Sequence, residues 1–171
     1  MIRLRFFLTL LVAVLFTPWS APARADVTVQ FYSHEFGKNF PHAFITMKGT
    51  LNATGQAVDA AYGFTAISIS PGILLGSVKG AVQTPKADYI AKSEVRFTMV
   101  VDDAGYAKVM ARVAAWRDAK QPSYSLNARN CVHFVAEVAQ ALGLKTNAKS
   151  KFFKKPRSFL EEVRGLNPGV K

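Results

Sequence analysis

The chain has 171 residues, a mass of 18.7 kDa and a formal net charge of +11, with 22 basic against 11 acidic side chains. One cysteine excludes an intrachain disulfide, and the even mix of apolar and polar residues excludes a disordered tail or a disulfide-stapled miniprotein. The first 25 residues read as a leader. Arg3 and Arg5 precede an eleven-residue apolar run, Phe6 to Phe16, and Ala23-Arg24-Ala25 forms a small-x-small cleavage site. That run is shorter than the roughly 20 residues a membrane-spanning helix needs. We therefore expect a secretory signal peptide over 1–25, cleavage after Ala25, and a secreted or periplasmic protein without a transmembrane segment. The remainder, 26–171, carries a net charge of about +8 once the leader's three arginines are removed. It is long enough for one domain with a real core.

Within it, Val27 to Tyr32 reads as a strand and Ser33-His34-Glu35-Phe36-Gly37 as a loop. His42-Ala-Phe-Ile-Thr-Met47, between Pro41 and Gly49, opens a second strand, which a turn at Asn52-Ala-Thr-Gly55 pairs with a third over about Gln56 to Ser68. Ile73 to Val82 reads as a strand interrupted by Gly76 and Gly80, and Glu94 to Val101 as a half-buried one. Asp102-Asp103 starts a helix running to about Ala119, with Tyr106, Val109, Met110, Val113 and Trp116 along one packing face. A second helix begins at Cys131, with Asn130 as N-cap and Gly143 as the residue that ends it. The order, five strands and then two helices, predicts an α+β domain with an antiparallel sheet packed against both helices.

Cys131 is the residue with chemistry. A lone thiol in an exported protein is an inert core residue, an intermolecular crosslink or a nucleophile. At the first position of a helix it sits beside unpaired backbone N–H groups and the positive end of the dipole. Both favour thiolate, and the same N–H groups suit an oxyanion. A base is then needed from His34, His42 and His133. Two residues along a helix is a rotation of about 200°, which turns His133 away from the cleft. It joins Glu137 and Gln140 in what reads as a solvated stripe. His42, directed by a core strand, is the better base.

The segment Tyr124-Ser-Leu-Asn-Ala-Arg-Asn130-Cys131-Val-His133-Phe-Val135 resembles the signature of lecithin:retinol acyltransferase-like proteins. These belong to the circularly permuted branch of the papain-like NlpC/P60 thiol enzymes. The histidine strand precedes the cysteine helix in that branch, and His42-Ala-Phe-Ile45 is similar to its strand. The resemblance implies a permuted papain-like fold with Cys131 and His42 as the catalytic pair and Tyr124 as a cleft phenol. The second histidine that usually follows the first is missing between His42 and Cys131. Asp59, Tyr62 and Thr65 are the candidates for the orienting third group. Asp59 has the right charge, Thr65 would lie nearer, and a turn at 52–55 puts both on the pleat face of His42.

After Gly143 come Lys145, Lys149, Lys151, Lys154, Lys155 and Arg157, a basic tail in which Phe152, Phe153 and Phe159 are expected to dock on the core. Ser158-x-x-Glu161 predicts a capped closing helix ending near Gly165. The charge suits an anionic envelope component, whether phospholipid, lipopolysaccharide or cell-wall polymer, and no nucleic-acid module is recognisable. One cysteine and three scattered histidines predict neither metal nor cofactor. The expectation is an exported thiol hydrolase, a thiol protease or amidase on cell-wall peptide or an enzyme of acyl esters. The missing second histidine leans toward amides. The alternatives are a non-catalytic envelope-binding module with a basic surface and a lipid acyltransferase or phospholipase.

Overall fold

A computed structural model describes residues 26–35, 40–68 and 71–171; the leader expected over 1–25 lies outside the described residues. The elements are strands β1 (Val27–His34), β2 (His42–Thr50) and β3 (Ala57–Ala66), a helical turn α1 (Gly72–Leu75), and strand β4 (Gly80–Gln83). Then follow a short helix α2 (Ala87–Ala91), strand β5 (Glu94–Val101) and helices α3 (Asp103–Arg117), α4 (Cys131–Ala141) and α5 (Pro156–Leu166). The strands form one antiparallel sheet in the order β4-β3-β2-β1-β5, packed against helices as an α+β architecture. Among the described residues, no helix is long and apolar enough to cross a membrane.

Alternation along the central strands decides which face is covered. Val27, Val29, Phe31 and Ser33 pair with Gly49, Met47, Ile45 and Ala43 and are all fully buried. They form the floor on which Val109, Val113 and Trp116 of α3, Phe134, Val135 and Val138 of α4, and Phe159, Leu160 and Val163 of α5 pack. The helices also hold one another: Trp116 Nε1 donates to Glu137 Oε2 at 2.8 Å, and the Arg129 guanidinium lies 3.9 Å over the Trp116 ring. The opposite pleat face carries Tyr32, His34, His42 and Phe44, partly covered by Tyr89 from α2.

The β2–β3 turn forms at 52–55 as expected, with Gly55 in the left-handed region (φ +68°). Its backbone is tied to the start of α3, because the Asn52 and Ala53 N–H groups each donate to the Asp103 carboxylate at 2.8 Å. Three expectations need correction, and one element is additional. His34 ends β1 opposite His42 rather than sitting in a loop. The strand read over Ile73 to Val82 is the turn α1 followed by β4, since Pro71 starts a helical turn that Gly76 ends. Helix α2 was not foreseen. Helix α5 begins at Pro156, whose ring suits a first helical turn, so Ser158 lies inside it rather than capping it.

Candidate functional site

The site lies where β2 begins and α4 begins. Asn130, 3% exposed, builds the helix end. Its Oδ1 accepts from Val132 N at 2.8 Å and His133 N at 3.3 Å, while its Nδ2 donates to Leu126 O and Phe153 O at 2.8 and 2.9 Å. One side chain thus starts the helix and fastens it to the preceding loop and to the tail. Cys131 takes the first helical position as expected, buried with only a small exposed patch. The backbone N–H groups of Ala43, Val132 and Cys131 itself lie near enough to the sulfur to favour its charged form. The Ala43 N–H is the informative one, because it belongs to the peptide joining His42 to Ala43. It brings the thiol against the start of the histidine strand.

Cys131 and His42 line the same cavity, of about 830 Å³, together with Gly63, Thr65, Tyr89, Tyr124 and Asn130. Gly63 makes room for the imidazole: a Cβ built there would lie 2.6 Å from His42 Nε2. The ring therefore lies across β3 at a point where only glycine leaves the space. Phe44 and Tyr89 flank it, with ring centroids 6.1 and 6.4 Å away. No hydrogen bond joins the His42 ring to the Cys131 thiol in this structure; both groups open onto the cavity instead.

The electrostatics correct the expected thiolate. Burial pushes the Cys131 thiol up to about 11, against the lowering effect of the three backbone N–H groups. Burial, and then His34, pushes His42 down to about 4. Near neutral pH the resting pair is thiol and imidazole, both uncharged. Desolvation outweighs the favourable effect of the nearby backbone N–H groups. Tyr124 and Tyr89 are raised, Tyr89 to about 12, first by burial and then by the nearby Cys131. Both phenols therefore keep their protons and can donate into the cavity.

Tyr124 is placed by its backbone, which exchanges hydrogen bonds with Val78 (2.9 and 3.0 Å), and by its ring stacked 5.6 Å from Phe64. The Gln121 side chain supports this arrangement by donating to Gly80 O at 2.8 Å and accepting from Gly80 N at 3.0 Å.

Asp59 is not brought to the site. It lies opposite Lys48, exposed, near the turn end of β3, while His42 begins β2 six residues away from Lys48. At about 3.3 Å per residue that is a separation of roughly 20 Å. The pleat parity expected for Asp59 holds, but the distance excludes it as the orienting group. Thr65 does line the cavity, whereas Tyr62 packs with the core.

His133 is also reassigned. It is half-buried, closes a reciprocal cap by accepting from Asn130 N at 3.3 Å, and stacks 4.4 Å from Phe153. Glu137, its expected companion on a solvated stripe, is the acceptor for Trp116.

Tyr89 escaped the sequence reading, and His34 was placed in a loop. Tyr89 sits on a five-residue helix with no periodic pattern to reveal it. His34 would have been found by extending the alternation of Val27, Val29 and Phe31 by one more pair. Its Nδ1 lies 3.0 Å from Ser93 Oγ, which itself donates to Tyr89 O at 2.7 Å. The hydroxyl's single proton is thus committed, so His34 Nδ1 is the donor. His34 pairs with His42 across β1 and β2, and its ring is turned to Ser93 and Tyr89.

Among the described residues, no group of three or more His, Cys, Asp or Glu side chains is placed to hold a metal ion. No protein-family model matches the chain, and comparison with curated proteins and with solved structures finds no significant match.

Proposed function

We propose that this protein is an exported thiol acyl hydrolase or transferase of permuted papain-like architecture, with Cys131 as nucleophile and His42 as general base. The observation that carries the reading is the meeting of the two groups on one cavity, with the N–H next to His42 near the sulfur. Because the resting pair is neutral, proton transfer accompanies attack rather than preceding it. The imidazole takes the Sγ proton as sulfur adds to an amide or ester carbonyl. The resulting oxyanion is held by the Cys131 backbone N–H, with Tyr124 or Tyr89 as a phenolic donor. The imidazolium then protonates the departing amine or alkoxide, leaving an acyl thioester. Water or an acceptor alcohol, deprotonated by His42, attacks that thioester and restores the thiol.

No histidine lies between His42 and Cys131, and that absence by itself does not separate amides from esters. Amide and ester carbonyls therefore stand as equal substrates of the proposed chemistry. The site of action outside the cytoplasm rests on the leader reading.

The raised thiol favours one rival, a binding module that keeps the fold and uses its basic face. Stopped-flow release of p-nitrophenol from p-nitrophenyl butyrate separates them. A burst equal to the enzyme concentration, absent from Cys131→Ser and slowed at least 100-fold in His42→Gln, is expected for the enzyme. Burst-free release that ignores both substitutions would establish the binding module.

A further inference from the structure

Seven large apolar side chains are exposed among the described residues, and two of them line the cavity while two more adjoin cavity residues in the chain. Phe40 (57% exposed) and Leu74 (76%) line the cavity that holds Cys131 and His42. Leu75 (89%) follows Leu74, and Ile67 (56%) follows Ala66, another cavity residue. The turn α1 that presents the two leucines buries none of its own residues. A water-facing turn gains nothing from two adjacent leucines held outward, and exposed apolar side chains at a cavity mouth mark a contact surface.

Charge says what the surface meets. Lys86 and Lys154 stand on the walls of the same cavity, with Asp88 as the one acidic side chain among its lining residues. Lys155 follows Lys154, exposed, at the start of α5. A protein partner would have to match an apolar ridge and a set of flexible ammonium groups in one geometry. The headgroup and acyl layers of an anionic bilayer match both without any fixed register.

We propose that the cavity mouth docks on an anionic phospholipid bilayer. Leu74, Leu75, Phe40 and Ile67 enter the acyl boundary while Lys86, Lys154 and Lys155 contact lipid phosphates. Docking itself is independent of the thiol chemistry.

The test is sedimentation with vesicles, using the chain from Asp26 onward, in which every described strand, helix and core contact lies. Vesicles of phosphatidylcholine alone are compared with vesicles containing 30% phosphatidylglycerol, a fraction of about one anionic lipid in three that gives a strongly negative surface. The chain is expected to sediment with the second and not the first, and to be released as salt rises. Leu74→Ser/Leu75→Ser should weaken binding about tenfold or more, with an unchanged melting temperature because both side chains are already in water. Lys86→Glu/Lys154→Glu should abolish the preference for anionic vesicles. Cys131→Ser should bind as the unsubstituted chain does, so loss of catalysis and loss of docking are separate results. The proposal is overturned if the chain stays in the supernatant or if the leucine variant binds undiminished. It is equally overturned if the chain sediments with isolated peptidoglycan but not with vesicles, or if the leucines prove to hold two copies together in solution.

Discussion

Replacing Gly63 by alanine adds one methyl group at the place where His42 lies across β3. That carbon would stand 2.6 Å from His42 Nε2, 3.4 Å from its Cε1 and 3.1 Å from Phe44 Cβ. Carbon-to-heavy-atom contacts settle at about 3.5–4.0 Å, so the ring has to retreat by about 1 Å. Phe44 is fully buried and belongs to a central strand, so the imidazole is the part that yields. A displacement of that size in a reacting group costs about 100-fold in rate. That corresponds to about 3 kcal/mol of barrier, while the crowding itself costs about 1–3 kcal/mol of stability. The assay is the first-order rate of the p-nitrophenol burst, read beside a urea melt. Gly165→Ala in α5 is the matched control, since no atom lies within 4 Å of its added carbon. It should leave the burst unchanged. A Gly63→Ala protein that stays folded and keeps its burst rate within twofold would refute the reasoning, because the position of His42 would then be irrelevant to the chemistry.

Other consequences can be measured directly. Unfolded histidine titrates near 6.5 and folded His42 at about 4, so between those values the unfolded chain binds more protons. Stability should be fully present above pH 6.5 and fall by on the order of 3 kcal/mol as pH drops to 4. His42→Gln should remove most of that slope in urea melts, leaving the share of His133, which burial shifts the same way. Iodoacetamide labelling of Cys131 should keep rising with pH beyond 9, as expected of a thiol at about 11; a plateau below pH 7 would mean a stable thiolate instead. Asn130→Ala deletes a helix cap and two further hydrogen bonds of a buried amide, and should cost about 2–4 kcal/mol in a denaturant titration. Asp59→Asn should leave the burst rate unaltered, and a tenfold loss would restore it as a candidate for orienting His42.

What could be read in advance divides by range. The start of α4 was legible, because Asn130, Cys131 and Gly143 obey local capping rules that need no partner. The central strands were legible for the same reason, since Val27, Val29 and Phe31 alternate on a period of two. The choice of His42 over His133 followed from helical geometry alone. The rest depended on contacts across the chain. Pleat parity placed Asp59 on the correct face, but parity carries no distance, and only the register of β2 against β3 shows it opposite Lys48. The thiol state depended on how much of the helix end is buried, which a capping pattern does not express. Gly63 was visible as a glycine inside a strand, a sign of close approach, and its meaning required knowing that the imidazole lies over it. Tyr89 was hidden because a five-residue helix has too few turns to show a pattern.

The pairing of Cys131 with His42 is tested most directly by mass spectrometry of the acid-quenched protein after mixing with p-nitrophenyl butyrate. The account predicts a butyryl group on the peptide containing Cys131 within the burst phase, absent in Cys131→Ser and formed at least 100-fold more slowly in His42→Gln. An unmodified Cys131 throughout the burst, or a thioester that forms equally fast without the imidazole, would contradict it.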